Sequence, residues 1–211
     1  MDARTYELIV IGCSAGGFNA LCAVLGALPR GFSVPVAVVC HVGDDGHDRL
    51  AELLGRHCAL AVEEVEDKTP LRPRAVHVAP AGYHLLLEED RSFSLSVDPK
   101  VCGARPSVDV LFESAADALP GRVIGVILTG ANHDGAHGLR AIRESGGLGV
   151  VENPETAHAT AMPAAAIALA GADHVAPLAE IGPLLVRLAG TGAPRHRPQS
   201  ASTTSRSLTS T

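Results

Sequence analysis

The chain has 211 residues, 46% of them hydrophobic, and a formal net charge of −6 with a pI near 5.9. That length and apolar content suffice for one large domain around a single core. The acidic balance offers no basic stripe for a nucleic-acid partner, and no apolar run approaches the ~20 residues of a membrane span, so direct membrane insertion is not expected.

The opening residues, "MDARTYE", carry acids and no apolar signal region, which points to a cytoplasmic protein. The run "ELIVIG" then reads as a buried strand, and "GFNALCAVLGAL" after the glycines reads as a helix. The same alternation continues with "VPVAVVC" and "DRLAELLGRH". "AVHVAP" and "HLLLEE" flank a turn, "FSLSV" follows, and "SVDVLFESAADAL" has helical spacing. "RVIGVILTG" precedes "GAHGLRAIRES", "GLGVVE" precedes "MPAAAIALAG", and "PLAEIGPLLVRLAG" closes the series. Continuous apolar strands followed by amphipathic helices define an α/β fold: a doubly wound, mainly parallel sheet with helices on both faces. "APAGYHLLLEEDRSFSLSV" lacks helical period and is expected as a small antiparallel hairpin attached to that sheet. A single domain is thus expected over 1–189. The Ser- and Thr-rich stretch 190–211 has few apolar residues and is expected to be a disordered tail.

In open parallel sheets functional groups collect beyond the carboxyl ends of the strands. Ser14 follows the first strand, His41 follows "VPVAVVC", and Asp134 lies in the loop "ANHDGAHG" after "RVIGVILTG". A hydroxyl, an imidazole and a carboxylate at three strand ends are the parts of an activated serine nucleophile. The ring takes the hydroxyl proton during attack on a carbonyl, and the acid orients the ring and stabilises its cation. Backbone N–H groups near the glycine turn supply an oxyanion site, typically worth about 3–4 kcal/mol per donor. In isolation each residue has a plainer reading: Ser14 and Asp134 as helix caps, His41 as a structural histidine.

Gly12-Cys13-Ser14-Ala15-Gly16 matches G-x-S-x-G, but only eleven residues precede Gly12, too few for the strands and oxyanion loop that come before an α/β-hydrolase elbow. A phosphate loop is disfavoured by the lack of the Walker lysine and of G-x-G-x-x-G spacing. His133 and His137 are spaced i, i+4 as zinc ligands can be. Gly135 separates them, however, and no H-E-x-x-H motif occurs, so neither metal nor other cofactor is expected. The five cysteines, Cys13, Cys22, Cys40, Cys58 and Cys102, form no C-x-x-C pair and are expected as buried, reduced thiols.

From about Leu8 to Ala189 the chain resembles the CheB-type chemotaxis methylesterase domain. The blocks that carry the resemblance are "IGCSAGGFNAL", "CHVGDDGHDRLAELL", "VHVAPAGYHLLLE", "ARPSVDVLFESAA", "GVILTGANHDGAHGL" and "ENPETAHATAMPAAAI", in this order. The resemblance implies a metal-free serine hydrolase that removes methyl esters from glutamate side chains on chemoreceptor cytoplasmic helices and often deamidates glutamines there. It implies a catalytic trio of Ser14, His41 and Asp134, with the backbone N–H groups of Ala15 and Ala131 as oxyanion donors. This chain departs from the family pattern at Thr129-Gly130-Ala131-Asn132-His133-Asp134-Gly135, where the family often reads T-G-M-G-x-D-G, and at Cys40 and Ala104. Family members commonly carry a phosphoacceptor receiver domain, whereas here the first strand begins near residue 7, so activity without phosphorylation gating is expected. Arg105 is a candidate contact for acidic receptor surface. Two other functions compete: a serine esterase or amidase acting on another protein outside chemotaxis, and a non-catalytic module docking on a receptor array.

Overall fold

The computed structural model describes residues 5–41 and 49–190. In chain order the elements are β1 (Leu8–Cys13), α1 (Gly17–Gly26), β2 (Val36–Cys40), α2 (Leu50–Gly55), β3 (Ala61–Glu64), β4 (Ala75–Val78), β5 (His84–Leu87), β6 (Phe93–Ser96) and α3 (Val108–Ala118). They continue as β7 (Val123–Ile127), α4 (Ala136–Glu144), β8 (Leu148–Glu152), α5 (Ala161–Ala170), β9 (His174–Ala176) and α6 (Leu178–Gly190). Seven strands form one parallel sheet in the order β3-β4-β2-β1-β7-β8-β9. The chain winds outward from β1 through β2 and later resumes on the other side of β1 with β7. The crevice between β1 and β7 is therefore the topological switch point, where open α/β sheets bind ligands.

The alternation of side chains along β1 divides the core into two layers. Ile9, Ile11 and Cys13 face α1, α2 and α6 through Leu21, Leu25, Leu54 and Ile181. Leu8 and Val10 face α3, α4 and α5 through Leu111, Phe112, Leu139 and Ala166. The central strands β1, β2 and β7 are buried throughout, as their unbroken apolar runs require. The edge strands β3 and β9 are short and partly exposed.

The expected hairpin forms from β5 and β6, but as a separate two-stranded sheet and not as an extension of the main one. Leu85, Leu87 and Phe93 pack into the layer of α3, and the Leu87 N–H donates to Ser114 Oγ on that helix at 3.1 Å. The hairpin thus covers a helix and leaves the sheet edge to β3. Of the expected tail 190–211, Gly190 closes α6, and the remainder lies outside the described residues. No helix among the described residues is long and apolar enough to cross a membrane.

Candidate active site at the sheet's carboxyl edge

Cys13 and Cys40 are register partners at the ends of β1 and β2, and the His41 N–H donates to the Cys13 carbonyl at 3.0 Å. Ser14 and His41, the residues that follow these two strands, therefore stand side by side. Ser14 is half-buried, and its hydroxyl has no hydrogen-bond partner among the described residues. It does not cap α1: the residue at that helix start is Gly16, in the left-handed conformation at φ 78°, with no side-chain cap bond.

The turn is clamped to the end of β7. The Ser14 N–H donates to the Thr129 carbonyl at 2.9 Å, and Thr129 Oγ1 donates to the Ala15 carbonyl at 2.8 Å. The same hydroxyl accepts the Ala159 N–H at 2.7 Å, and the Thr129 N–H donates to Glu152 Oε2 at 2.8 Å. Burial lifts the Glu152 carboxyl above the usual glutamate range against the pull of that N–H. A cavity of about 460 Å³ lies beside the turn, lined by Gly16, Asn19, Thr129, Glu152, Thr156 and His158 among others. The N–H groups of Ala15 and Ala131 donate to no acceptor among the described residues, and both residues are exposed.

Asp134 is fully buried. Its Oδ2 lies 2.9 Å from His41 Nε2, an ion-pair distance whose angle falls outside hydrogen-bond geometry. The acid does cap a helix, though not the one that follows it, since α4 starts from Gly135. Asp134 Oδ2 accepts the Val108 N–H at 2.7 Å, and Oδ1 accepts the Asp109 N–H at 3.0 Å and the Ser107 hydroxyl at 2.8 Å. The carboxylate thus sits on the N-terminus of α3, where free N–H groups and the helix dipole favour negative charge. Burial alone would raise its pKa, but donation from His41, Val108, Asp109 and Ser107 outweighs burial and holds the acid below its ordinary range.

Ser107 is positioned in turn by His84 at the start of β5. The Ser107 N–H donates to His84 Nδ1 at 3.2 Å, which leaves His84 Nε2–H to donate to the Pro99 carbonyl at 3.1 Å. Neither residue was singled out by the sequence reading, although both lie inside blocks that carry the family resemblance. Their link is tertiary, and the only local hints are Ser107 just before a helix and a histidine inside an apolar strand.

The structure brings Ser14, His41 and Asp134, with Ala15 and Ala131, to one edge of the sheet. It does not join His133 and His137 on a helical turn, because α4 begins at Ala136 and Gly135 adopts φ 94°. One cluster of metal-ligand type occurs among the described residues, Cys102, Asp109 and Asp134, within 4.8 Å of one another. Three hydrogen bonds and the His41 contact already occupy the two oxygens of Asp134 there, a poor basis for a cation site. Arg105 is engaged within the chain, its Nη1 donating to the carbonyls of Val97 and Asp98 at 2.7 and 3.0 Å. The expectation of buried cysteines holds for Cys13 and Cys40. It fails for Cys102, which is exposed in a turn, while Cys22 and Cys58 are half-buried. The neighbouring Cys40 thiol and then burial push the Cys13 thiol well above its usual range, which keeps it unreactive.

An open, doubly wound parallel sheet with a hydroxyl, an imidazole and a buried carboxylate at its switch point has the architecture of a hydrolase. The CheB methylesterase family model matches residues 9–185, and the chain belongs to that family. A Leptospira interrogans protein is 45% identical over 183 residues, covering 87% of this chain and 95% of that one. It carries the provisional name protein-glutamate methylesterase/protein-glutamine glutaminase. The protein-glutamate methylesterase FrzG of Myxococcus xanthus is 38% identical over 182 residues, 86% of this chain and 54% of FrzG, so the chain spans about half of that relative. The crystal structure of the Thermotoga maritima CheB methylesterase catalytic domain superposes with a TM-score of 0.83 at 33% identity, covering 87% of this chain and 99% of that one.

Proposed function

We propose that this chain is a cytoplasmic protein-glutamate methylesterase of chemotaxis-type signalling. Its substrates are γ-methyl esters of glutamate on the cytoplasmic helices of chemoreceptors, and glutamine side chains there are a second substrate. Ser14 attacks the ester carbonyl, and His41 accepts the hydroxyl proton and returns it to the leaving methanol. Water then clears the acyl-enzyme by the same route, and Asp134 orients the ring and balances its transient charge. The N–H groups of Ala15 and Ala131 stabilise the oxyanion. No cofactor takes part in this sequence.

The observation that carries the reading is the 2.9 Å contact of the buried Asp134 with the ring of His41, on the strand end beside Ser14. The half-exposed position of Ser14 suits an ester presented on the surface of a receptor helix. The test is methanol release from methylated receptor fragments by the wild type and by Ser14→Ala. The variant is expected to lose about 10⁴-fold or more in kcat, as other serine triads do, with its melting temperature kept. An unchanged rate in Ser14→Ala would leave a non-catalytic docking module. Turnover of simple esters with none on receptor fragments would move the substrate outside chemotaxis.

A further inference from the structure

The loop between β7 and α4 brings a residue to His41 that the trio does not include. Asn132 Nδ2 lies 3.2 Å from His41 Nδ1. The orientation of this amide follows from its other end, where Asn132 Oδ1 accepts the Asp134 N–H at 3.2 Å. A backbone N–H can only donate, so the oxygen faces Asp134 and the NH₂ group faces the ring. An amide NH₂ also only donates, and Nδ1 must therefore hold a lone pair. The proton of the neutral ring is then on Nε2, the nitrogen that lies 2.9 Å from Asp134 Oδ2, at an angle outside hydrogen-bond geometry.

This arrangement has a chemical consequence. With Nε2 turned to the acid, Nδ1 is the ring nitrogen left to take the proton of Ser14, and the amide of Asn132 occupies it. The Ser14 hydroxyl has no partner among the described residues. Once Nδ1 carries a proton, a second donor facing it becomes repulsive, so the amide cannot keep its place through the reaction. Asn132 is half-buried, while Ala131 and His133 on either side are exposed, so its side chain is the one of the three turned into the site.

We propose that Asn132 is a positioning residue that latches the resting enzyme. It holds His41 in the Nε2–H tautomer and competes with Ser14 for Nδ1 until bound substrate displaces it. The proposal rests on the hydrolase reading above, and it adds a regulatory element to that site. The competition raises KM and leaves kcat unchanged, because the amide is displaced before the bond-making step.

The test uses the full chain with the Asn132→Ala and Asn132→Asp substitutions, read by steady-state kinetics on a methylated receptor fragment and by ¹⁵N NMR of the His41 ring. Neither substitution meets a backbone obstacle, since Asn132 is not among the non-glycine residues at positive φ. Asn132→Ala is expected to raise kcat/KM about two- to tenfold through KM, the worth of one neutral hydrogen bond, and to shift the Nδ1 resonance toward that of an unbonded lone-pair nitrogen. Asn132→Asp keeps an acceptor for the Asp134 N–H but draws the ring proton to Nδ1, so kcat is expected to fall and Nδ1 to become an N–H signal. An Nδ1 resonance unmoved by either substitution overturns the latch. A moved resonance with kcat/KM unchanged or lowered in Asn132→Ala overturns the competition with Ser14. Should even the wild type fail to turn over esters, the hydrolase reading fails, while the ring resonance still decides whether the amide holds Nδ1.

Discussion

At the scale of single residues, Asp134 shows how a buried charge is made tolerable. An unpaired carboxylate in such a place is costly, and here Ser107, Val108, Asp109 and His41 all face its two oxygens. Its folded pKa is lowered from the ordinary 3.8. As the pH falls, the unfolded chain therefore binds the proton first. The stabilisation is fully present above 3.8 and is lost as the pH drops through the lowered folded value. Thermal melts taken from about pH 5 to about pH 3 are expected to show the melting temperature falling toward acid in the wild type. The slope should be shallower in Asp134→Asn, which has no proton to bind. The same variant is expected to lose about 10⁴-fold in kcat, because an amide cannot balance the cation on His41. That Ser14, His41 and Asp134 meet at one edge of the sheet could be read from the sequence, since each follows a strong apolar strand. The route by which Asp134 is held could not, because its donors lie more than twenty residues away on another helix.

At the scale of elements, the hairpin has a role that no local pattern reveals. β5 and β6 add nothing to the main sheet, yet His84 at the start of β5 receives the Ser107 N–H, and Ser107 in turn donates to the acid. A chain of two hydrogen bonds thus links a peripheral hairpin to the edge that carries the proposed site. Replacing His84 with Phe keeps the buried volume but leaves the Ser107 N–H and the Pro99 carbonyl without a partner. The expected costs are about 1–3 kcal/mol of stability and about a tenfold loss of kcat at unchanged KM. Denaturant titration and kinetics on the methyl ester measure the two effects separately; a stability loss alone would mean that the hairpin only packs. The strong central strands were legible because burial on both faces demands unbroken apolar runs. The edge strands were not, since "AVEE" and "HVA" are short, partly exposed and lack a distinctive period. The hairpin's two strands and their antiparallel pairing were legible, but not their separation from the sheet, which depends on the contact with α3.

At the scale of the whole molecule, the site depends on how closely one helix approaches the sheet. Val108, the first residue of α3, sits in a niche formed by two glycines from distant motifs. A Cβ on Gly12 would lie 2.2 Å from Val108 Cγ1, and one on Gly135 would lie 2.6 Å from the same atom. Gly135 is further restricted by its φ of 94°. The niche matters because the backbone N–H of Val108 holds Asp134 at 2.7 Å. A branched side chain next to its own backbone has little room to yield, so Gly12→Ala must displace the start of α3 and the acid with it. The expected result is a loss of about 1–3 kcal/mol from overpacking together with a marked fall in kcat. Gly125 on β7 provides the comparison, because a Cβ there would meet Ile142 Cδ1 and Leu139 Cδ1 at 2.8 Å, the free ends of flexible side chains. Gly125→Ala is expected to lower the melting temperature less and to leave kcat intact. If both variants lose stability while both keep full kcat, the seating of α3 on the sheet does not govern the placing of Asp134.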